Sequence, residues 1–133
     1  MSPLTIDIDD MKTSFQPGQT LRGQVRWQTD SAPKTACLRL LWYTQGKGTE
    51  DVGIVESLEF DNPQQNDQRT YQFKIPEGPY SFSGELLSLI WSLELIVGKQ
   101  VTRQDITVSP DGHEIRLHQT VLDAKPFLES DIR

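Results

Sequence analysis

The strongest constraint on this chain is a series of short runs in which apolar and polar residues alternate, each closed by turn-forming residues. Alternation of period two puts every second side chain on one face of a strand. The clearest run is residues 21–28. Leu21, Gly23, Val25 and Trp27 take one phase, and Arg22, Gln24, Arg26 and Gln28 take the other. Several such runs separated by Gly, Pro, Asn and Asp clusters are the pattern of a sandwich or barrel.

Six further runs follow the same logic. Leu4, Ile6 and Ile8 alternate with Thr5 and Asp7. In residues 36–44, Leu38, Leu40 and Trp42 point inward, and Arg39, Leu41 and Tyr43 outward. Residues 52–60 do not hold one phase, because Glu56 falls on the face of Ile54 and Leu58; a bulge or a strongly twisted strand accounts for that. Tyr71, Phe73 and Ile75 form the next inward set. From Ser88, the inward phase holds Leu89, Trp91, Leu93, Leu95 and Val97, and the outward phase Ile90 and Ile96. Gly98-Lys99 is a two-residue connection, so residues 100–109 should pair back antiparallel. Pro17-Gly18, residues 30–33, residues 45–48, residues 61–67, residues 76–79 and Pro110-Asp111-Gly112 read as turns or loops. No segment keeps a convincing helical period, and no internal repeat is present.

The reading is one all-β domain, an immunoglobulin-like antiparallel sandwich of about seven or eight strands over residues 1–110. Residues 111–133 form a C-terminal extension. It holds a short strand near Ile115 and Leu117, then an apolar tail that docks on the domain or on a partner. At 133 residues the chain can bury a sizeable core without a metal or disulfide staple.

Three segments, taken in order, resemble the arrestin-like β-sandwich family, which includes arrestins, the arrestin-like retromer subunit and bacterial sporulation-control proteins. The first is Phe15-Gln16-Pro17-Gly18-Gln19-Thr20-Leu21-Arg22-Gly23, an aromatic, a Pro-Gly turn and a strand with a glycine in its middle. The second is Phe73-Lys74-Ile75-Pro76. The third is Tyr80-Ser81-Phe82-Ser83-Gly84-Glu85, followed by Leu89-Ile90-Trp91-Ser92-Leu93-Glu94-Leu95. The resemblance spans residues 4–109 and implies the sandwich fold and a habit of scaffolding or protein binding. Arrestins carry two sandwiches in tandem, and this chain has room for one. It also lacks a phosphate-sensing basic run, so receptor or phosphopeptide binding is not implied.

Charge and composition narrow the function. A net charge of −6 argues against nucleic acid and anionic membranes as partners. Residues 86–97, interrupted by Ser88, Ser92 and Glu94, are too short and too polar to span a bilayer. The first ten residues lack a basic start and an apolar core, so no signal peptide is expected. The single cysteine, Cys37, fits a reducing compartment and is expected as a small buried strand residue. A cytoplasmic location follows as the expectation.

Catalytic constellations are thin. His113 lies in a turn. His118 shares a strand phase with Glu114 and Arg116, a row that equally describes an exposed strand face. A hydrolase would rest on His118 and Glu114 alone. The loop acids Asp61, Asp67 and Asp111 lack EF-hand spacing, and no phosphate-binding glycine motif occurs. No catalytic residue, metal or cofactor is assigned. The outward apolar residues carry more weight. Leu41, Tyr43, Ile90 and Ile96 lie out of phase with the core and would form a patch on an outer sheet face, which either binds a partner or is covered by Phe127 and Leu128. The leading expectation is a non-catalytic interaction or scaffolding module that binds another protein, or a second copy of itself, through an edge strand or this face. The alternative is a carbohydrate- or calcium-dependent ligand-binding sandwich.

Overall fold

The computed structural model describes residues 3–46, 50–84 and 87–111, together with the backbone of residues 115–116. The strands are β1 (Leu4–Ile8), β2 (Ser14–Phe15), β3 (Thr20–Gln28), β4 (Ala36–Gly46), β5 (Val52–Glu59), β6 (Asn66–Lys74), β7 (Phe82–Ser83), β8 (Leu87–Val97), β9 (Gln100–Val108) and β10 (Ile115–Arg116). They form two sheets. The smaller is β1-β3-β6, antiparallel throughout. The larger runs β10-β7-β8-β4-β5, with β9 pairing β8 and β2 pairing β9.

This is the expected all-β antiparallel sandwich. Seven strands are long enough to show alternation, and each matches a run read from the sequence. The other three, β2, β7 and β10, have two residues each and leave no period to read. Two of the short pairings, β2 with β9 and β10 with β7, are parallel. The strand foreseen near Ile115 is β10, so the larger sheet reaches past residue 110. β6 begins at Asn66, two residues inside the stretch read as loop.

The inward phases interlock as the core. Leu21, Val25 and Trp27 of β3 join Leu38 and Leu40 of β4 and Leu89, Trp91, Leu93, Leu95 and Val97 of β8 in one buried cluster. Burying side chains of this size is worth about 1.5–3 kcal/mol each. Two indoles bring a polar atom into that core, and each finds a loop carbonyl. Trp91 Nε1 donates to Pro79 O at 2.8 Å, and Trp27 Nε1 donates to Gln64 O at 2.7 Å. The core therefore pins the loops after β6 and before it. Trp42 is only partly buried but packs against the same cluster.

The turn chemistry is local. Gly18 (φ +87°) lets the Pro-Gly turn bring its N–H to Ile75 O at 2.8 Å, while Ile75 N–H returns to Gln19 O at 2.9 Å. This ties the end of β6 beside the start of β3. The β8–β9 connection closes through Gly98, whose φ of +61° suits a two-residue hairpin. At the start of β6, Asp67 accepts Arg69 Nε at 3.0 Å and Nη2 at 2.9 Å, plus the N–H groups of Gln64 and Gln68. The Arg69 hydrogen bond holds the Asp67 carboxyl below its usual range, and the backbone donors add to this against the effect of burial. One feature had no sequence signal: a single 3₁₀ turn at Asp9–Met11, with Asp10 and Met11 at φ of 60° and 54°.

The mid-strand glycine of β3 has a steric cause. Gly23 pairs with Ile8 on one side and Tyr71 on the other. The Tyr71 hydroxyl passes over it to donate to Asp7 O at 2.8 Å. A Cβ at Gly23 would run into that carbonyl oxygen and stand 2.8 Å from the hydroxyl. Burial, with Asp9 and Asp7 adding, pushes the Tyr71 phenol above its usual range.

Candidate functional site

The outer face of the larger sheet is built by the register of β9, β8, β4 and β5. Across β8 and β4, Tyr43 stands opposite Ile90, Leu41 opposite Ser92, Arg39 opposite Glu94, and Cys37 opposite Ile96. β9 continues these rows with Asp105 beside Ser92, Arg103 beside Glu94, and Val101 beside Ile96. β5 completes them on the other side with Val52 beside Tyr43, Ile54 beside Leu41, Ser57 beside Arg39, and Glu59 beside Cys37.

β5 reaches this arrangement through a bulge. The register slips between Leu40 and Leu41, leaving Val55 as the extra residue. Before the slip, Leu58 and Glu56 take the inner phase opposite Leu38 and Leu40. After it, Gly53 sits opposite Trp42, and Val52 and Ile54 turn outward. A Cβ at Gly53 would collide with the Trp42 indole, so the glycine makes room for that ring. The broken phase of residues 52–60 was therefore a bulge that moves two apolar side chains to the outer face.

The four outward residues expected as a patch divide into two groups. Tyr43 and Ile90 are neighbours, both half-buried, and Leu41 lies one row away. Ile96 is separate. It groups with exposed Val101 and with Cys37, which is half-buried on this outer face rather than buried in the core. Between the groups runs an ionic row. Glu94 is only 8 % exposed, and its Oε2 accepts Arg103 Nη2 at 3.0 Å and Nε at 3.1 Å. Arg39 Nη1 lies 3.8 Å from the other carboxylate oxygen.

The Arg103 guanidinium also sits 5.3 Å from the centroid of the Tyr43 ring. It thus bridges the rows on either side of Leu41. Leu41 is 2 % exposed, so it supports the face and is not itself available for contact. Burial, then the charge of Asp105, pushes the Tyr43 phenol up, with Arg103 opposing. A shallow depression of about 480 Å³ adjoins the face, lined by Thr13, Ile90, Asp105, Ile106 and Thr107.

Sequence reasoning did not place Val52, Ile54 and Val55 in the patch. They are 61 %, 54 % and 39 % exposed and extend it onto the sheet edge. The available signal was the phase break at Glu56. Phe127 and Leu128, expected to cover or extend the patch, lie outside the described residues, as do His113, Glu114 and His118. Among the described residues, no group of three or more His, Cys, Asp or Glu side chains is placed to hold a metal. No helix among them is long and apolar enough to cross a membrane.

No family model matches the chain, and no curated protein matches it. Among solved structures, the fold is similar to that of Spo0M, the sporulation control protein of Bacillus subtilis, with a TM-score of 0.54 and 15 % identity. The match covers 82 % of this chain and 50 % of Spo0M, so the chain spans about half the length of that structure. The likeness is one of fold. It agrees with the two-sheet architecture, an all-β sandwich of the arrestin-like fold type.

Proposed function

We propose that the chain is a non-catalytic protein-interaction or scaffolding module of arrestin-like type. It acts in the cytoplasm and binds its partner through the outer face of the larger sheet and the adjoining β5 edge. The observation that carries this reading is the exposure of Val52 beside Tyr43, which stands next to Ile90, and of Ile54 in the adjoining row beside Leu41. Contiguous apolar side chains on a soluble domain mark surfaces that another molecule covers. The aromatic of the group, Tyr43, offers a large apolar ring with a polar tip, the type of side chain enriched at such surfaces. The ionic row of Arg39, Glu94 and Arg103 supplies a polar border.

The test is site-specific photo-crosslinking in cells. A photoreactive residue at Val52 is compared with one at Gln72, which is exposed on the opposite sheet. A discrete adduct at position 52, absent at position 72 and lost when Ile54→Asp is added, supports the reading. Equal adduct patterns at both positions refute it.

A further inference from the structure

Among the described residues, β5 ladders with β4 alone and ends the larger sheet. Its free side therefore presents unpaired backbone N–H and C=O groups, the template onto which another strand can add. The edges at β6 and β9 are differently equipped. β6 turns Gln68, Thr70, Gln72 and Lys74 outward, all polar. The free part of β9 exposes one large apolar residue, Val101, followed by Arg103 and Asp105. Among the described residues, β5 is the edge that carries exposed apolar side chains in a group, namely Val52, Ile54 and Val55.

The charge on either side of that group is of one sign. Residues 50–61 contain Glu50, Asp51, Glu56, Glu59 and Asp61 and no lysine or arginine. Glu50, Asp51, Glu56 and Glu59 are all exposed. Arg39, beside Ser57, has its guanidinium turned toward Glu94, and Arg69, at the Asp61 end, is paired with Asp67 and donates to the Asp61 carbonyl. The edge thus reads acidic, apolar, acidic along its length. We propose that β5 is a docking edge for an extended segment of a partner protein in which alternating apolar residues are flanked on both sides by lysine or arginine. This rests on the interaction reading above and names the chemistry of the partner. A second copy of the chain fits poorly, since two such edges set together would face like charge with like charge.

The test uses the full chain and two synthetic peptides. One has a Val-Thr-Val centre flanked by arginines, and the other has glutamates in place of the arginines. Binding is followed by fluorescence anisotropy and mapped by amide chemical shifts. The arginine peptide is expected to bind at least about tenfold tighter at low salt, the sum of two or three exposed ion pairs. The perturbed amides should cluster on β5, and the preference should reverse in a Glu56→Lys/Glu59→Lys protein. Equal affinity for both peptides, no reversal in the variant, or self-association that buries β5 overturns the proposal.

A selection from a random-peptide display library separates this failure from that of the broader reading. Selected peptides that lack basic flanks and perturb the Tyr43 and Ile90 amides instead of β5 overturn the basic-strand proposal and leave the interaction reading standing. A selection that yields no binder overturns both.

Discussion

Replacing Gly23 with alanine probes the packing that joins β1, β3 and β6. The new Cβ would stand 2.8 Å from the Tyr71 hydroxyl and nearer still to the Asp7 carbonyl oxygen. Those two atoms are themselves joined at 2.8 Å, so neither can retreat without loosening the other. The Tyr71 ring has little freedom, being 4 % exposed and packed against Phe73 at 5.9 Å between centroids. β1 is the element free to yield, since it is an edge strand of five residues. Overpacking of this kind costs about 1–3 kcal/mol. Weakening the hydroxyl bond adds about 1 kcal/mol. The lower chain entropy of unfolded alanine returns about 0.5–1 kcal/mol. Gly23→Ala should therefore lose about 2–3 kcal/mol in urea unfolding and lower Tm by roughly 10 °C. Tyr71→Phe alone should lose about 1 kcal/mol. The double variant should lose less than the sum, because removing the hydroxyl relieves one of the two collisions. A Gly23→Ala protein within about 0.5 kcal/mol of the parent, or strict additivity in the double variant, would refute the account.

Three further outcomes follow from the same geometry. Trp91→Phe removes the donor to Pro79 O and leaves space in the core, so urea unfolding should show a loss of about 2–3 kcal/mol. Asp67 is held below its ordinary value of 3.8, so the stability it contributes is fully present above that value and is lost as pH falls through the lower folded value. The stability gap between the parent and Asp67→Asn should accordingly be open at pH 7 and narrow as pH falls below about 4, read from urea midpoints across that range. Gly53→Ala drives a Cβ into the Trp42 indole, and it should release the first half of β5 from β4, seen as faster hydrogen exchange at Val52 to Val55 with β8 and β9 unaffected.

The long strands were legible because each buries one face and exposes the other. β3 is the plainest case, with Leu21, Gly23, Val25 and Trp27 buried and their neighbours turned outward. β8 was legible for a second reason, since Gly98-Lys99 fixes its hairpin with β9 and hence the register of the outer face. The short pairings of β2, β7 and β10 were not legible, because two residues carry no period and their partners are distant in sequence. The site was legible in part. Tyr43 and Ile90 were placed on one face correctly, because both sit out of phase with a tryptophan. The burial of Leu41 was not legible, because alternation does not show that Arg103 of β9 reaches from Glu94 to Tyr43, the rows on either side of it. The separation of Ile96 had the same origin. Alternation gives the face of a residue but not which residues of other strands stand beside it.

The bulge at Val55 links the fold to the proposed function. Had β5 kept the phase set by Leu58 and Glu56, Ile54 would stand opposite Trp42 and point into the sandwich, and Gly53, which has no side chain, would stand beside Tyr43. The extra residue turns Val52 and Ile54 outward instead, onto a strand with no neighbour on its far side among the described residues. An apolar edge of that kind invites pairing with any exposed strand, including one from another copy. The flanking acids oppose this where the incoming strand carries the same charge and favour it where the strand is basic. One set of residues thus serves both solubility and selection. Screening by salt should weaken both effects together, so raising ionic strength should lower affinity for a basic strand while easing contact between copies. A surface whose acids served solubility alone would show only the second change.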